Sequence, residues 1–219
     1  MDIQKIRDAL AHQDFQYRLK GLVALRDYDV DTAVPLLLSK RDDPEFLVRS
    51  FVAMGLGRKR NEAAFNALLE IIRRDRDANV QAEATNSLAM YGEASVSPLV
   101  QTFHENPNWL VRRSILAAML DLDHPPELLE LSLAAIKGDD VPVAEAGIDT
   151  LGTLAQTDQH PAALEALLAL AQHKSWNIRM HAARSLKQFE TAAAKAALGQ
   201  LRQDPQHQVV AAALEDLLP

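Results

Sequence analysis

The pattern Val-Arg-x-x-Ala-x-x-x-Leu returns seven times along the 219 residues, and a chain built this way must fold as stacked copies of one small unit. Its first positions are Tyr17, Val48, Val80, Val111, Val143, Ile178 and Val209, spaced by 31, 32, 31, 32, 35 and 31 residues. Four residues on stand Gly21, Val52, Ala84, Ile115, Gly147, Ala182 and Ala213. Eight on stand Leu25, Leu56, Leu88, Met119, Leu151, Leu186 and Leu217. An apolar stripe at i, i+4 and i+8 is one face of a helix, here called helix B. The middle position is often small, which lets a second helix approach closely.

The second helix, A, lies upstream. Eleven residues before each anchor are Ile6, Leu37, Leu69, Val100, Ser132, Leu167 and Leu198, preceded by Lys5, Leu36, Leu68, Leu99, Leu131, Ala166 and Ala197. Only Ser132 and Lys5 interrupt this apolar pattern. Three residues before the anchor come Asp14, Glu45, Asp77, Asn108, Asp140, Ser175 and Gln206. Asp, Asn and Ser there are expected to cap helix B by accepting its unpaired N–H groups. Pro44, Pro107 and Pro205 mark the turns where helix A stops. Pro35 and Pro98 are expected near the starts of A helices, where proline is tolerated.

Composition agrees with helix throughout. Ala (35) and Leu (33) make up close to a third of the chain, while Gly (8), Pro (10) and aromatic residues are scarce. A lone hairpin leaves an apolar side uncovered, and stacking covers it. The expectation is an all-α superhelical solenoid of about seven hairpins, one continuous domain over 1–219. Its longest interruption is a loop extension at Thr157–His160.

The formal charge of −7 argues against a general nucleic-acid binder, which needs a basic stripe. Without cysteine the chain has no disulfide, no thiolate metal site, no thiol nucleophile and no thioether-linked chromophore. The charged start and the absence of a long apolar run lead to the expectation of a cytoplasmic protein with no membrane insertion.

A two-helix repeat of this length, with Asp-Pro before Val-Arg-x-x-Ala-x-x-x-Leu, resembles the HEAT repeat, in its short phycobilisome-lyase-like form. The clearest matches are Asp43-Pro44 through Val48-Arg49 with Val52 and Leu56, and Ile178-Arg179 with Ala182 and Leu186. Units with Gln81, Ala144 and Val210 in place of the Arg are weaker matches. The strings Asp14-Phe-Gln-Tyr-Arg18 and Asn108-Trp-Leu-Val-Arg112 look like those of the NblB-like phycobilisome-degradation group of cyanobacteria. That resemblance implies a non-catalytic scaffold for a phycobiliprotein partner, with a tetrapyrrole as a further ligand. Two alternatives stay open. One is a bilin-binding lyase or chaperone, although the Asn- and Tyr-rich turns of the bilin lyases are missing. The other is an adaptor for an A-type iron–sulfur scaffold protein.

In such solenoids the B helices line the concave face, and positions two, three and six after the anchor point away from helix A. The candidate partner-binding residues are Phe51, Met54, Glu83, Arg113, Asp149, His181 and Arg184. A mixed, partly apolar surface of this kind suits a protein partner. Phe15, Phe46, Trp109 and Trp176, two residues before their anchors, form a candidate aromatic column. They offer stacking surfaces to a pigment or, in the preferred reading, plug the groove between repeats. Arg18, Arg49, Arg112 and Arg179 form a candidate anion site or, in the preferred reading, bind turn carboxylates such as Asp43 and Asp75 and so hold repeats in register. Arg58-Lys59-Arg60 offers a contact to an acidic partner or, in the preferred reading, is a solvated basic turn. No catalytic residue, cofactor or metal site is expected. The histidines form no i, i+4 pair. An iron hydroxylase built on HEAT repeats needs several facing His-Glu dyads, and His104-Glu105 is the single such dipeptide.

Overall fold

The computed structural model describes residues 1–215. These form α1 (Ile3–Leu10), α2 (Phe15–Ala24), α3 (Val30–Leu38), α4 (Phe46–Arg58), α5 (Glu62–Arg74), α6 (Ala78–Ala89), α7 (Glu93–Glu105) and α8 (Trp109–Met119). They continue as α9 (Pro125–Lys137), α10 (Val141–Thr153), α11 (His160–Leu170), α12 (Trp176–Leu186), α13 (Ala192–Leu201) and α14 (His207–Leu214). Among the described residues there is no strand. Odd-numbered helices are A and even-numbered ones B, which gives the seven hairpins of an all-α, α-α superhelix class.

The chain divides into two compact units, Met1–Ala118 and Met119–Pro219. In the first, α2 packs on α4 and α4 on α6, while α3 packs on α5. In the second, α10 packs on α12 and α12 on α14, while α11 packs on α13. Within each unit, hairpins stack B on B and A on A.

The core follows the spacing. Val48, Val80, Val111, Val143 and Val209 are buried, as are Val52, Ala84, Ile115, Ala182 and Ala213. So are Leu25, Leu56, Leu88, Met119, Leu151 and Leu186; Leu217 lies outside the described residues. Tyr17, the first anchor, is instead exposed and stacks on His12, the ring centroids 4.1 Å apart. The small middle position has a structural reason at Gly147 on α10. A Cβ there would stand 2.7 Å from Ala135 Cβ and 2.9 Å from the Ser132 carbonyl oxygen on α9.

Ser132, the polar break in the A pattern, is fully buried. Its hydroxyl donates to the Leu128 carbonyl at 2.7 Å and lies 2.6 Å from Thr150 Oγ1, so its polar atom is satisfied. The two helix prolines sit deeper than expected. Pro35 and Pro98 are the sixth residues of α3 and α7, inside the helices rather than in the first turn. The acceptors each leaves unbonded, four residues back, belong to the exposed residues Asp31 and Ala94, where water can replace the missing donor.

Three of the expected caps form. Asp14, Asp77 and Asn108 accept from the amides of Gln16, Asn79 and Leu110 at 2.9, 2.8 and 2.9 Å. Asp140 and Ser175 make no side-chain cap bond. A second column, five residues before the anchor, organises the turns as well. Asp43, Asp75, Asn106 and Asp204 accept from the amides of Glu45, Asp77, Asn108 and Gln206. His12 and His173 do the same through Nδ1. No helix among the described residues is long and apolar enough to cross a membrane.

Candidate functional site

The outward face of the B helices carries the candidate residues, and its accessibility alternates as the helical period requires. Six residues past the anchor, Val23, Asn86, Ala117, Asp149 and Arg184 are exposed and Met54 is half-buried. Phe51, Glu83 and His181, three past it, are half-buried, and Arg113 is exposed.

In the first unit this face holds a groove of about 120 Å³ between α2 and α4. Leu22, Val23 and Leu25 form one wall, Phe51, Met54 and Gly55 the other, and Leu37 of α3 the floor. Val23 is 50% exposed, an apolar side chain left in water at the mouth. Arg26, Arg58 and Lys59 complete the lining, which contains no carboxylate. The Lys59 ammonium donates to the backbone carbonyls of Arg26 and Tyr28 and ties the end of the first B helix to the second. Arg60 donates to the Met90 carbonyl at 2.9 Å. The Arg58-Lys59-Arg60 turn therefore combines structural ties with the charged rim of an apolar groove. Sequence reasoning missed the groove beside this turn, because one wall and the rim residue Arg26 come from the preceding repeat.

Further along the face, Glu83 on α6 accepts a long 3.4 Å bond from Ser87. Burial raises its carboxyl above the ordinary range, against the opposing pull of Ser87 and Arg58. In the second unit, His181 Nδ1 lies 2.7 Å from Asp149 Oδ1 and its Nε2 lies 3.9 Å from Glu145. Asn177 donates to Glu145. Asp149 and Arg184 also line a shallow, wider recess with Gly152, Thr153, Ser185 and Gln188. The structure thus brings Phe51 with Met54 and Asp149 with His181, while Arg113 stands exposed.

The aromatic column does not plug the repeats. Phe46, Trp109 and Trp176 are 46%, 42% and 39% exposed, and Phe15 is half-buried. Each is the first residue of its B helix, α2, α4, α8 or α12. A residue two before the anchor lies about 200° around the helix from it, so with the anchor inward the ring points out.

Three of the four arginines, Arg18, Arg49 and Arg179, bind a carboxylate of the next repeat. Arg18 Nη2 donates to Asp43 Oδ1 at 2.9 Å. Arg49 forms a two-point pair with Asp75, at 2.7 and 2.9 Å, and Arg179 a matching pair with Asp204, at 2.6 and 2.9 Å. Each arginine also donates to carbonyls of its own turn, as at Arg49 to Asp43 and Pro44. Hydrogen bonding to Arg179 holds the Asp204 carboxyl below its ordinary value. Where the arginine is replaced by Gln81, the partner is Asn106, a neutral version of the pair. Arg112 donates to the Asn106 and Phe103 carbonyls and lies over the Phe103 ring.

Comparisons with known proteins give three kinds of likeness. The deoxyhypusine hydroxylase of Candida albicans is 28% identical over 139 residues, covering 62% of this chain and 43% of that protein. Deoxyhypusine hydroxylase-B of Oryza sativa is 28% identical over 127 residues, covering 57% and 42%. The chain therefore spans less than half the length of these curated relatives. Among solved structures, Escherichia coli YibA superposes with a TM-score of 0.65 at 17% identity, covering 100% of this chain and 84% of that one. The CpcE–CpcF complex of phycocyanin lyase from Nostoc sp. PCC7120 gives 0.52 at 18% identity, covering 98% and 93%. These structures share the fold. The HEAT-repeat family profile matches residues 3–89, 34–120 and 128–218, nearly the whole sequence, and the chain belongs to the HEAT-repeat family.

Proposed function

We propose that this HEAT-repeat chain is a non-catalytic scaffold, acting as one domain over 1–219, that binds a phycobiliprotein through the outward face of its B helices. The observation that carries the reading is the groove between α2 and α4, where Val23, Phe51 and Met54 leave apolar surface accessible beside a cationic rim. An accessible apolar pocket ringed by charge is how a protein anchor residue is received. The choice of a phycobiliprotein rests on the turn strings resembling the NblB-like group. The phycocyanin lyase subunits supply a fold-level parallel for a HEAT-repeat protein that works on such a partner.

The hydroxylase activity of the curated relatives is not carried over. Among the described residues no three His, Asp or Glu side chains gather as metal ligands would, and His104-Glu105 lies on the exposed side of α7.

The test is titration calorimetry of the purified chain with phycocyanin and allophycocyanin, repeated with Phe51→Ala/Arg113→Glu. Binding by the wild type and at least tenfold weakening in the variant are expected. No binding to either phycobiliprotein refutes the reading.

The exposure of Phe46, Trp109 and Trp176 favours a second reading, a bilin-binding lyase or chaperone that stacks the pigment on one such ring, Trp109. Mixing the chain with phycocyanobilin should then shift and intensify its red absorption band, and Trp109→Ala should abolish the change. An unchanged spectrum removes it.

A further inference from the structure

We infer that the α2–α4 groove is a receptor for an acidic protein segment, which inserts one bulky apolar side chain between Val23, Phe51 and Met54 and sets its carboxylates against Arg26 and Arg58. The inference rests on the protein-partner reading and specifies the chemistry of what is bound.

Size comes first. At about 120 Å³ the groove is well below the roughly 300–1,000 Å³ of small-molecule and cofactor sites, and it suits a single Leu, Ile or Phe. Its depth is fixed by the buried residues Leu22, Leu25 and Leu37, which belong to the core beneath. Phe51 and Met54 meet Val23 across the opening, and a thioether is a surface that adapts to different apolar anchors.

Charge comes second. The lining carries three cations and no carboxylate, in a chain whose formal charge is −7. Lys59 is committed to the carbonyls of Arg26 and Tyr28. Arg26 is 67% exposed at its side chain and meets the exposed Asp27 at 3.4 Å. Arg58 is exposed in the last turn of α4, and its pull on Glu83 is weaker than the burial that opposes it. Both guanidiniums can therefore swing over the opening and take a carboxylate in a forked hydrogen bond. A basic segment would meet these cations as like charges, which is costly at an interface. An acidic partner is therefore drawn to this corner by three cations with no carboxylate among the lining residues.

The test uses three labelled peptides read by fluorescence anisotropy with the full chain. One has Asp and Glu around a central Leu-Phe pair, one has that pair replaced by Ala-Ala, and one has every acid replaced by Lys. The acidic Leu-Phe peptide should bind, and the other two at least tenfold more weakly. Val23→Glu and Arg58→Glu change exposed side chains and should retain the circular dichroism of the parent. Each should weaken the acidic peptide at least tenfold, and added salt should weaken it further. Equal binding of the Lys peptide, or an unchanged affinity in Val23→Glu, overturns the inference. If the acidic peptide binds as expected but phycocyanin does not, the choice of partner fails and the groove chemistry stands. If phycocyanin binds Val23→Glu as tightly as the parent, the groove assignment fails and the scaffold reading stands.

Discussion

Arg49→Met should destabilise the chain by about 3 kcal/mol, because it strands a buried carboxylate. The Arg49 and Asp75 side chains are 6% and 7% exposed. The substitution removes both bonds to Asp75 and those to the Asp43 and Pro44 carbonyls at 2.8 and 3.2 Å. Asp75 then keeps the Asp77 amide, at 2.9 Å. Breaking a buried pair from one side costs about 3–5 kcal/mol. The lower end applies here because Arg41, Arg74 and Arg76 line the same open recess and supply some compensating potential. Asp75→Asn removes the charge that would be stranded, so Arg49→Met/Asp75→Asn should recover about 1–2 kcal/mol relative to the sum of the single changes. Arg49→Lys should rescue little, since one ammonium cannot span both carboxylate oxygens and the turn carbonyls. Urea unfolding at pH 7, followed by far-ultraviolet circular dichroism, reads the effect. With a slope of roughly 3 kcal/mol/M, the midpoint should fall by about 1 M in Arg49→Met. A loss below about 1 kcal/mol, or strict additivity in the double variant, would refute the assignment of this pair as a register lock.

The Arg179–Asp204 pair should show its pH signature. The Asp204 carboxyl is depressed below its ordinary 3.8, so its contribution is full above that value and disappears as pH falls through the folded-state value; the stability gap between the parent and Arg179→Met should therefore be constant near neutrality and close below about pH 4. Gly147→Ala should cost about 1–2 kcal/mol, since the Ser132 carbonyl cannot give way, whereas Gly199→Ala on α13, with nothing within 4 Å of the added Cβ, should stabilise by about 0.5–1 kcal/mol in thermal melts. Asp149→Asn/His181→Ala should lower the melting temperature while leaving phycocyanin affinity within twofold, and a tenfold loss of affinity would place these residues at the interface. Differential scanning calorimetry should give one endotherm for the proposed single domain, and two resolved endotherms would separate the Met1–Ala118 and Met119–Pro219 units.

The hairpins were legible because an i, i+4, i+8 stripe admits one folding solution, and Val48, Val52 and Leu56 are all at 0% exposure. The arginine–carboxylate ladder was legible too, since an arginine beside a buried anchor must find a partner and an acid waits one turn away in the next repeat. The second capping column was missed. The residue five before the anchor varies among Asp, Asn, His and Gly, and its side chain serves the turn backbone and the neighbouring arginine together, as at Asp75. The aromatic column was placed wrongly because burial was assigned from side-chain type, when angular position decides: Trp109 and Trp176 open their helices on the side opposite the anchors. The groove was half legible. Phe51 and Met54 fall on the face that the spacing selects, but Val23, Leu37 and Arg26 join them only through packing between repeats.

The candidate face serves different purposes in the two units, and this bears on where a partner would sit. A slip by one turn along Ala- and Leu-rich helices still sets apolar residues against apolar ones, so polar ties join close packing in fixing the register. Within the first unit those ties lie at the turn edge, in Arg18–Asp43, Arg49–Asp75 and Gln81–Asn106. Within the second, the α10–α12 step has Ala144 where the arginine would be, and no side-chain tie can start there. The bonds that take its place lie on the outward face and beside it: Asn177 to Glu145, His181 to Asp149, and Ser185 Oγ to the Ile148 carbonyl at 2.9 Å. Side chains bonded to one another across a repeat step must give up those bonds to engage a ligand. Phe51, Met54 and Val23 have no such commitment, because the turn-edge ladder already fixes the register of the helices that carry them. Moving the register bonds to the turn edge is what leaves the groove of the first unit available.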